Sequence, residues 1–134
     1  MRLTSSAWFM ALAFCVIPLT AQGSEDVTMK VRAAIEKAGA AFEAEFEAGN
    51  SAALAAMYTE DAIAFPPGAE MVKGRVGIEH LWREMMGSGV KKLDFTTLDV
   101  GVSGDVAHET GTVVLTIIPE GKGAITGSAK YLVV

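Results

Sequence analysis

From residue 27 to residue 49, Val27, Val31, Ile35, Ala38, Phe42 and Phe46 recur at helical spacing, while Lys30, Glu36, Lys37, Glu43 and Glu47 fall between them. An apolar stripe of that period predicts a long amphipathic helix. Gly49 marks its end, and Asn50 or Ser51 caps a second, short helix over 52–58. Asp61-Ala62-Ile63-Ala64-Phe65 reads as a short strand closed by the turn Pro66-Pro67-Gly68. A further amphipathic helix over 75–86 carries Ile78, Leu81, Trp82, Met85 and Met86 on one side and stops at Gly87 and Gly89. His80 lies about 200° round that wheel from Ile78, which turns it to solvent.

Beyond Val90 the period changes to two. Leu93 and Phe95 share one parity and Leu98, Val100 and Val102 the other, so a β-bulge is expected at Thr96-Thr97. Ser103-Gly104-Asp105 turns the chain into a strand over 106–118. Residues 119–123 turn it again into a last strand over 124–134. Helices followed by a run of antiparallel strands make an α+β architecture, with the helices packed on one face of a curved sheet.

The strand over 106–118 is the most informative segment. Its odd positions (Ala107, Glu109, Gly111, Val113, Leu115, Ile117) are more apolar than its even ones, which puts Glu109 on the core side. A carboxylate there must be hydrogen-bonded, paired or solvated in a cavity. With 119–123 as the hairpin loop, Gly111 faces Tyr131 and the phenol comes near Glu109; a loop one residue shorter sends Tyr131 to the other face. Two readings of Glu109 follow. In one it is the polar anchor or general acid/base of an apolar pocket, beside Tyr131 or Tyr58. In the other it is a structural carboxylate tied to a backbone N–H, to Lys130 or to Arg75. Tyr58, Phe65, Trp82 and Met86 flank the expected pocket as ligand contacts, with core packing as their plainer role.

Arg2 precedes an apolar run from Ala7 to Leu19, and the chain turns polar from Thr20 onward. A positive start, a short apolar run and small residues beyond it read as a secretory signal peptide over 1–23, cut after Ala21 or Gly23. A bilayer span needs about 20 apolar residues, so no stable membrane anchor is expected after cleavage. The location implied is periplasmic or secreted. A lipoprotein signal at Cys15 would need a small residue before it, where Phe14 stands. The remaining 24–134 suffices for one domain. One Cys excludes a disulfide framework and a Cys-rich zinc site. A net charge of −5 argues against nucleic acid, whose binding rests on Lys and Arg. Met57, Met71, Met85 and Met86 with two His raise the thought of Cu(I), but Met85 and Met86 have core spacing. Neither metal nor cofactor is expected. The outer face of 106–118 holds His108 and sets Val106, Val114 and Ile118 among threonines, apolar enough to seat a second copy. The expected partners are thus a small apolar molecule and a homodimeric mate.

Several segments in order carry a resemblance: Phe42 to Asn50 (FEAEFEAGN), Leu54 to Ala62 (LAAMYTEDA), Pro67-Gly68, Gly74-Arg75 opening a helix with Trp82, Gly104 to Gly111 (GDVAHETG), and Lys130 to Val134 (KYLVV). Together they resemble the SnoaL-like and ketosteroid-isomerase-like branch of the nuclear transport factor 2-like superfamily. The resemblance implies a cone, a curved antiparallel sheet wrapped around helices with an apolar cavity at its open end. Isomerases, polyketide cyclases, dehydratases, binding proteins and dimerisation modules share that cone, so the fold leaves the function open. In ketosteroid isomerases a Tyr on the first helix and an Asp at the end of the first strand do the chemistry. Phe42 and Pro66 stand at the matching positions here, which argues against steroid isomerisation by that route. The family continues into one more strand, often with a Trp, where this sequence stops at Val134; an open sheet edge is expected after 124–134. Two functions stay in view: an exported, dimeric small-molecule-binding domain, with isomerase, cyclase or dehydratase activity open to it, and a non-catalytic dimerisation or interaction module with a filled cavity.

Overall fold

The computed structural model describes residues 20–134, so residues 1–19 of the expected signal peptide lie outside the described residues. Helix α1 spans Thr20–Glu47, starting ahead of the apolar stripe at Val27. Between Thr20 and Val27 no proline interrupts it, and Gly23 costs a helix only about 1 kcal/mol. Val27 is 48% exposed, because this end of the helix carries the stripe past its partners. Gly49, at φ 74°, turns the chain. The Asn50 side chain then accepts the Ala53 N–H at 3.3 Å to cap α2, Ser51–Ala56.

Strand β1 is only Ile63–Ala64, since Pro66 and Pro67 stop it. It pairs antiparallel with β2, Val72–Lys73, a strand too short to show a period in the sequence. Helix α3 covers Gly74–Gly87. Strands β3 (Val90–Ser103), β4 (Val106–Ile117) and β5 (Ile125–Val133) form an antiparallel sheet in the order β3-β4-β5. The architecture is the α+β arrangement expected, helices on one face of a curved antiparallel sheet. Phe46, Leu54, Val90, Leu93 and Val113 make the core where α1 and α2 meet the sheet, and Phe42, Trp82, Met85, Met86 and Phe95 pack against it. Among the described residues no helix is long and apolar enough to cross a membrane.

Two details of register position the site. The bulge in β3 falls between Thr97 and Asp99, leaving Leu98 without a cross-strand partner. It sits one residue beyond Thr96-Thr97, and Leu98 is 62% exposed rather than inward as its parity suggested. Thr97 therefore keeps the inward face of Leu93 and Phe95, and Val100 returns to it beyond the bulge. Arg32 of α1 donates to the carbonyls of Thr97 (3.4 Å) and Leu98 (3.2 Å), binding acceptors at the break in the ladder. On the other side of β4, Gly111 faces Tyr131 and Thr112 faces Lys130. That is the register of the longer hairpin loop.

Candidate functional site

The inward row of β4 brings Glu109 between two hydroxyls. Thr97 Oγ1 donates to Glu109 Oε1 at 2.7 Å from β3, and the Tyr131 hydroxyl donates to the same oxygen at 2.6 Å from β5. Tyr131 reaches it by lying across Gly111, where any β-carbon would run into the phenol ring. The two cationic partners considered for Glu109 are elsewhere. Lys130 faces outward by the alternation of β5 and is exposed. Arg75 donates through Nε to the Tyr58 carbonyl at 2.7 Å and stands 3.8 Å from Glu60. Glu109 is thus held by neutral donors and not by an ion pair.

Glu109, Thr97 and Tyr131 line an open cavity of about 1370 Å³ between α1, α3, the β1–β2 hairpin and the inner face of the sheet. Its walls are mostly apolar and carry a cluster of aromatic rings. Phe42 stands edge to face with Tyr58 (6.4 Å between centroids), Trp82 (5.0 Å) and Phe95 (5.8 Å), and Phe95 with Tyr131 (5.3 Å). Tyr58 and Trp82 line the cavity as expected, and Phe65 lies at its mouth, 77% exposed. Met86 does not line it. One residue is a 100° step on a helix, and that step turns Met86 onto the core while Met85 faces the cavity. The indole Nε1 of Trp82 is buried without an acceptor in hydrogen-bonding geometry. It still bears on the Tyr58 hydroxyl: burial pushes that phenol up, and the indole N–H draws it partly back.

Glu43 is the cavity residue that sequence reasoning passed over. It is half-buried, lines the cavity, and its Oε1 accepts the Phe95 N–H at 2.6 Å. The available signal was its place on the wheel, within the row Ile35, Gly39, Phe42 and Phe46 rather than opposite it. His80 and His108 are both exposed, the first beside Glu84 and the second beside Asp99, and neither reaches the cavity.

A family model for the SnoaL-like domain matches residues 38–129, well over half of the chain. The chain belongs to the SnoaL-like family. No curated protein matches it. Among solved structures, this SnoaL-like chain is similar to an NTF2-like protein with a cystatin-like fold from Novosphingobium aromaticivorans, at 22% identity over 85% of this chain and 78% of that one, TM-score 0.64. A ketosteroid isomerase-like protein from Erwinia carotovora atroseptica is similar at 20% identity over 75% and 77% of the two chains, TM-score 0.59. A protein from Catenulispora acidiphila solved in complex with S-DNPA is similar at 16% identity over 76% and 78%, TM-score 0.60. At such identities the likeness carries the fold and no residue's role.

The chemistry open to this SnoaL-like site turns on which group keeps its proton. Burial, then the hydrogen bond and charge of Glu109, push the Tyr131 phenol up from 10.0 to about 12. Tyr131 is therefore the fixed donor of the pair near neutrality, and Glu109 the acceptor. In the unfolded chain Tyr131 ionises near 10.0, so its contribution to stability is complete below that pH and is lost as pH rises through about 12. A pH-jump titration of tyrosinate absorbance is expected to show Tyr131 ionising near pH 12, with that component absent in Tyr131→Phe. Full tyrosinate signal at the ordinary phenol value would mean that the Glu109 contact does not form.

Proposed function

We propose that the cavity holds a small apolar molecule, with Glu109 as its polar anchor and Tyr131 keeping that carboxylate in place. The observation that carries this reading is a carboxylate with one oxygen doubly hydrogen-bonded and the other without a donor among the described residues, in a large, mostly apolar space. Pockets of this kind, apolar with few placed polar groups, are where small ligands bind. That volume speaks against the reading in which the chain's own side chains fill the cavity. A neighbour of the same fold has been solved in complex with S-DNPA, which supports ligand binding as a use of this fold. Proton transfer to Glu109 is the chemistry the site is equipped for, with the isomerase, cyclase and dehydratase classes open to it.

We propose further that the chain is exported and pairs through the outer sheet face. The sequence signal supports export. Cleavage after Gly23 would trim only the start of α1 and spare the cavity wall, whose first residue is Ile35. The exposed Val106, Val114 and Leu132 on the outer face support pairing.

Native mass spectrometry of the protein exported from its own gene tests these readings together. The expected species is a dimer of the processed chain carrying extra small-molecule mass. Glu109→Gln is expected to lose that mass while its unfolding free energy in urea moves by less than about 1 kcal/mol, because the amide oxygen still accepts from Thr97 and Tyr131. Large destabilisation with the bound mass retained would make Glu109 a structural group. A monomer would remove the pairing proposal.

A further inference from the structure

We infer that the cavity selects neutral apolar molecules bearing a hydroxyl, phenols and alcohols, and rejects carboxylic acids, with Glu109 Oε2 accepting the ligand's hydroxyl proton. This rests on the small-molecule reading above and specifies its ligand.

The hydrogen-bond inventory around Glu109 is one-sided. A carboxylate offers about four lone-pair sites. Among the described residues, Thr97 and Tyr131 both donate to Oε1 and no donor reaches Oε2. The head of a ligand seated there must donate. An ether or ketone oxygen facing Oε2 would leave two acceptors in contact.

Charge narrows the head further. Glu36 and Glu43 line the same cavity as Glu109. The cations that could offset them are committed: Arg32 to Glu36 and the bulge carbonyls, Arg75 to the Tyr58 carbonyl and Glu60. Lys130 borders the same cavity, but strand alternation sets it on the outer side of β5, where it is exposed. An anionic head would enter a space with three acidic residues, where the one lining cation among the described residues, Lys130, is exposed to solvent at the strand edge. The Tyr58 hydroxyl, packed against Phe42, is a neutral donor on the same cavity, while the Trp82 indole N–H is buried out of a ligand's reach. The Tyr58 hydroxyl offers a dipole to a ligand's own oxygen, not a partner for an acid. An ammonium head would satisfy the charge, but it must give up more hydration than a hydroxyl among mostly apolar walls to meet a carboxylate already stabilised by two hydroxyls.

Four probes with one ring body and different heads separate these cases: para-phenylphenol, its methyl ether, biphenyl carboxylate and biphenylmethylamine. Each is titrated by calorimetry at neutral pH into the full chain and into Glu109→Gln. The phenol is expected to bind at least about tenfold more tightly than the ether, the gain of one hydrogen bond to a charged acceptor. The carboxylate is expected to show no binding and the amine to bind more weakly than the phenol. In Glu109→Gln the phenol should fall to the level of the ether, whose own affinity stays unchanged. Equal binding of phenol and ether, or an acid or amine that binds as tightly as the phenol, would overturn the selectivity while leaving the cavity a binding site. If none of the four binds, the small-molecule reading falls with it.

Discussion

Phe46→Ala is expected to destabilise the domain by about 3–5 kcal/mol, a large share of the 5–15 kcal/mol typical of a domain. Phe46 is 2% exposed, sits in the core with Leu54, Val90, Leu93 and Val113, and stands edge to face with Trp82 at 6.1 Å. Alanine is the better helix former, so α1 itself gains slightly and the loss comes from packing alone. The vacated space lies behind Trp82, which also lines the cavity. The variant should therefore both unfold at lower urea and loosen one cavity wall. An unchanged m-value with a lower midpoint is the expected signature. A shift below about 1 kcal/mol would mean that the ring is not part of a continuous core.

Gly111→Ala is expected to be the next most damaging change, at about 1–3 kcal/mol. Its β-carbon would meet the Tyr131 ring and hydroxyl and come within 2.5 Å of the Thr96 carbonyl oxygen. The tyrosine can swing away, but the carbonyl belongs to the paired β3–β4 ladder and cannot do so cheaply. Relief comes by pushing the phenol off Glu109, which reduces the burial and removes the Glu109 contact that together raise its pKa. The substitution should thus shift the Tyr131 ionisation from about 12 toward 10.0 in the same titration. Gly127→Ala serves as the control, since its β-carbon would meet only Ile117 Cδ1 at 3.9 Å. Normal Tyr131 titration and stability in Gly111→Ala would show that the phenol does not lie over this glycine.

Much of this site could be read from the alternation of β4. Parity alone put Glu109 inward, and the hairpin register alone put Tyr131 across from Gly111. Thr97 was missed for a definite reason. Counting Leu98 as inward placed the bulge one residue early, and only a bulge at Leu98 leaves Thr97 facing Glu109. Lys130 and Arg75 were considered for their charge, which says nothing about direction; strand alternation turns one away and the Tyr58 carbonyl holds the other. Glu43 is set off the apolar stripe by its charge, although its neighbours on the wheel are apolar. Met86 was taken for a cavity residue because it shares a broad apolar face with Met85, and a single helical step separates core from cavity there. The long, periodic elements were legible, whereas β2 has too few residues to carry any pattern.

The unequal pairing of the two sheets orders how the molecule opens. Glu109 lies in the central strand, with Val100 on one side and Val133 on the other. The opposite wall of the cavity hangs on two cross-strand pairs, Ile63 with Lys73 and Ala64 with Val72. Short, exposed ladders come apart at small free-energy cost, and central strands open only with the whole domain. Fraying of the β1–β2 hairpin would therefore widen a cavity that is already open to solvent, while the carboxylate and its two hydroxyls stay assembled.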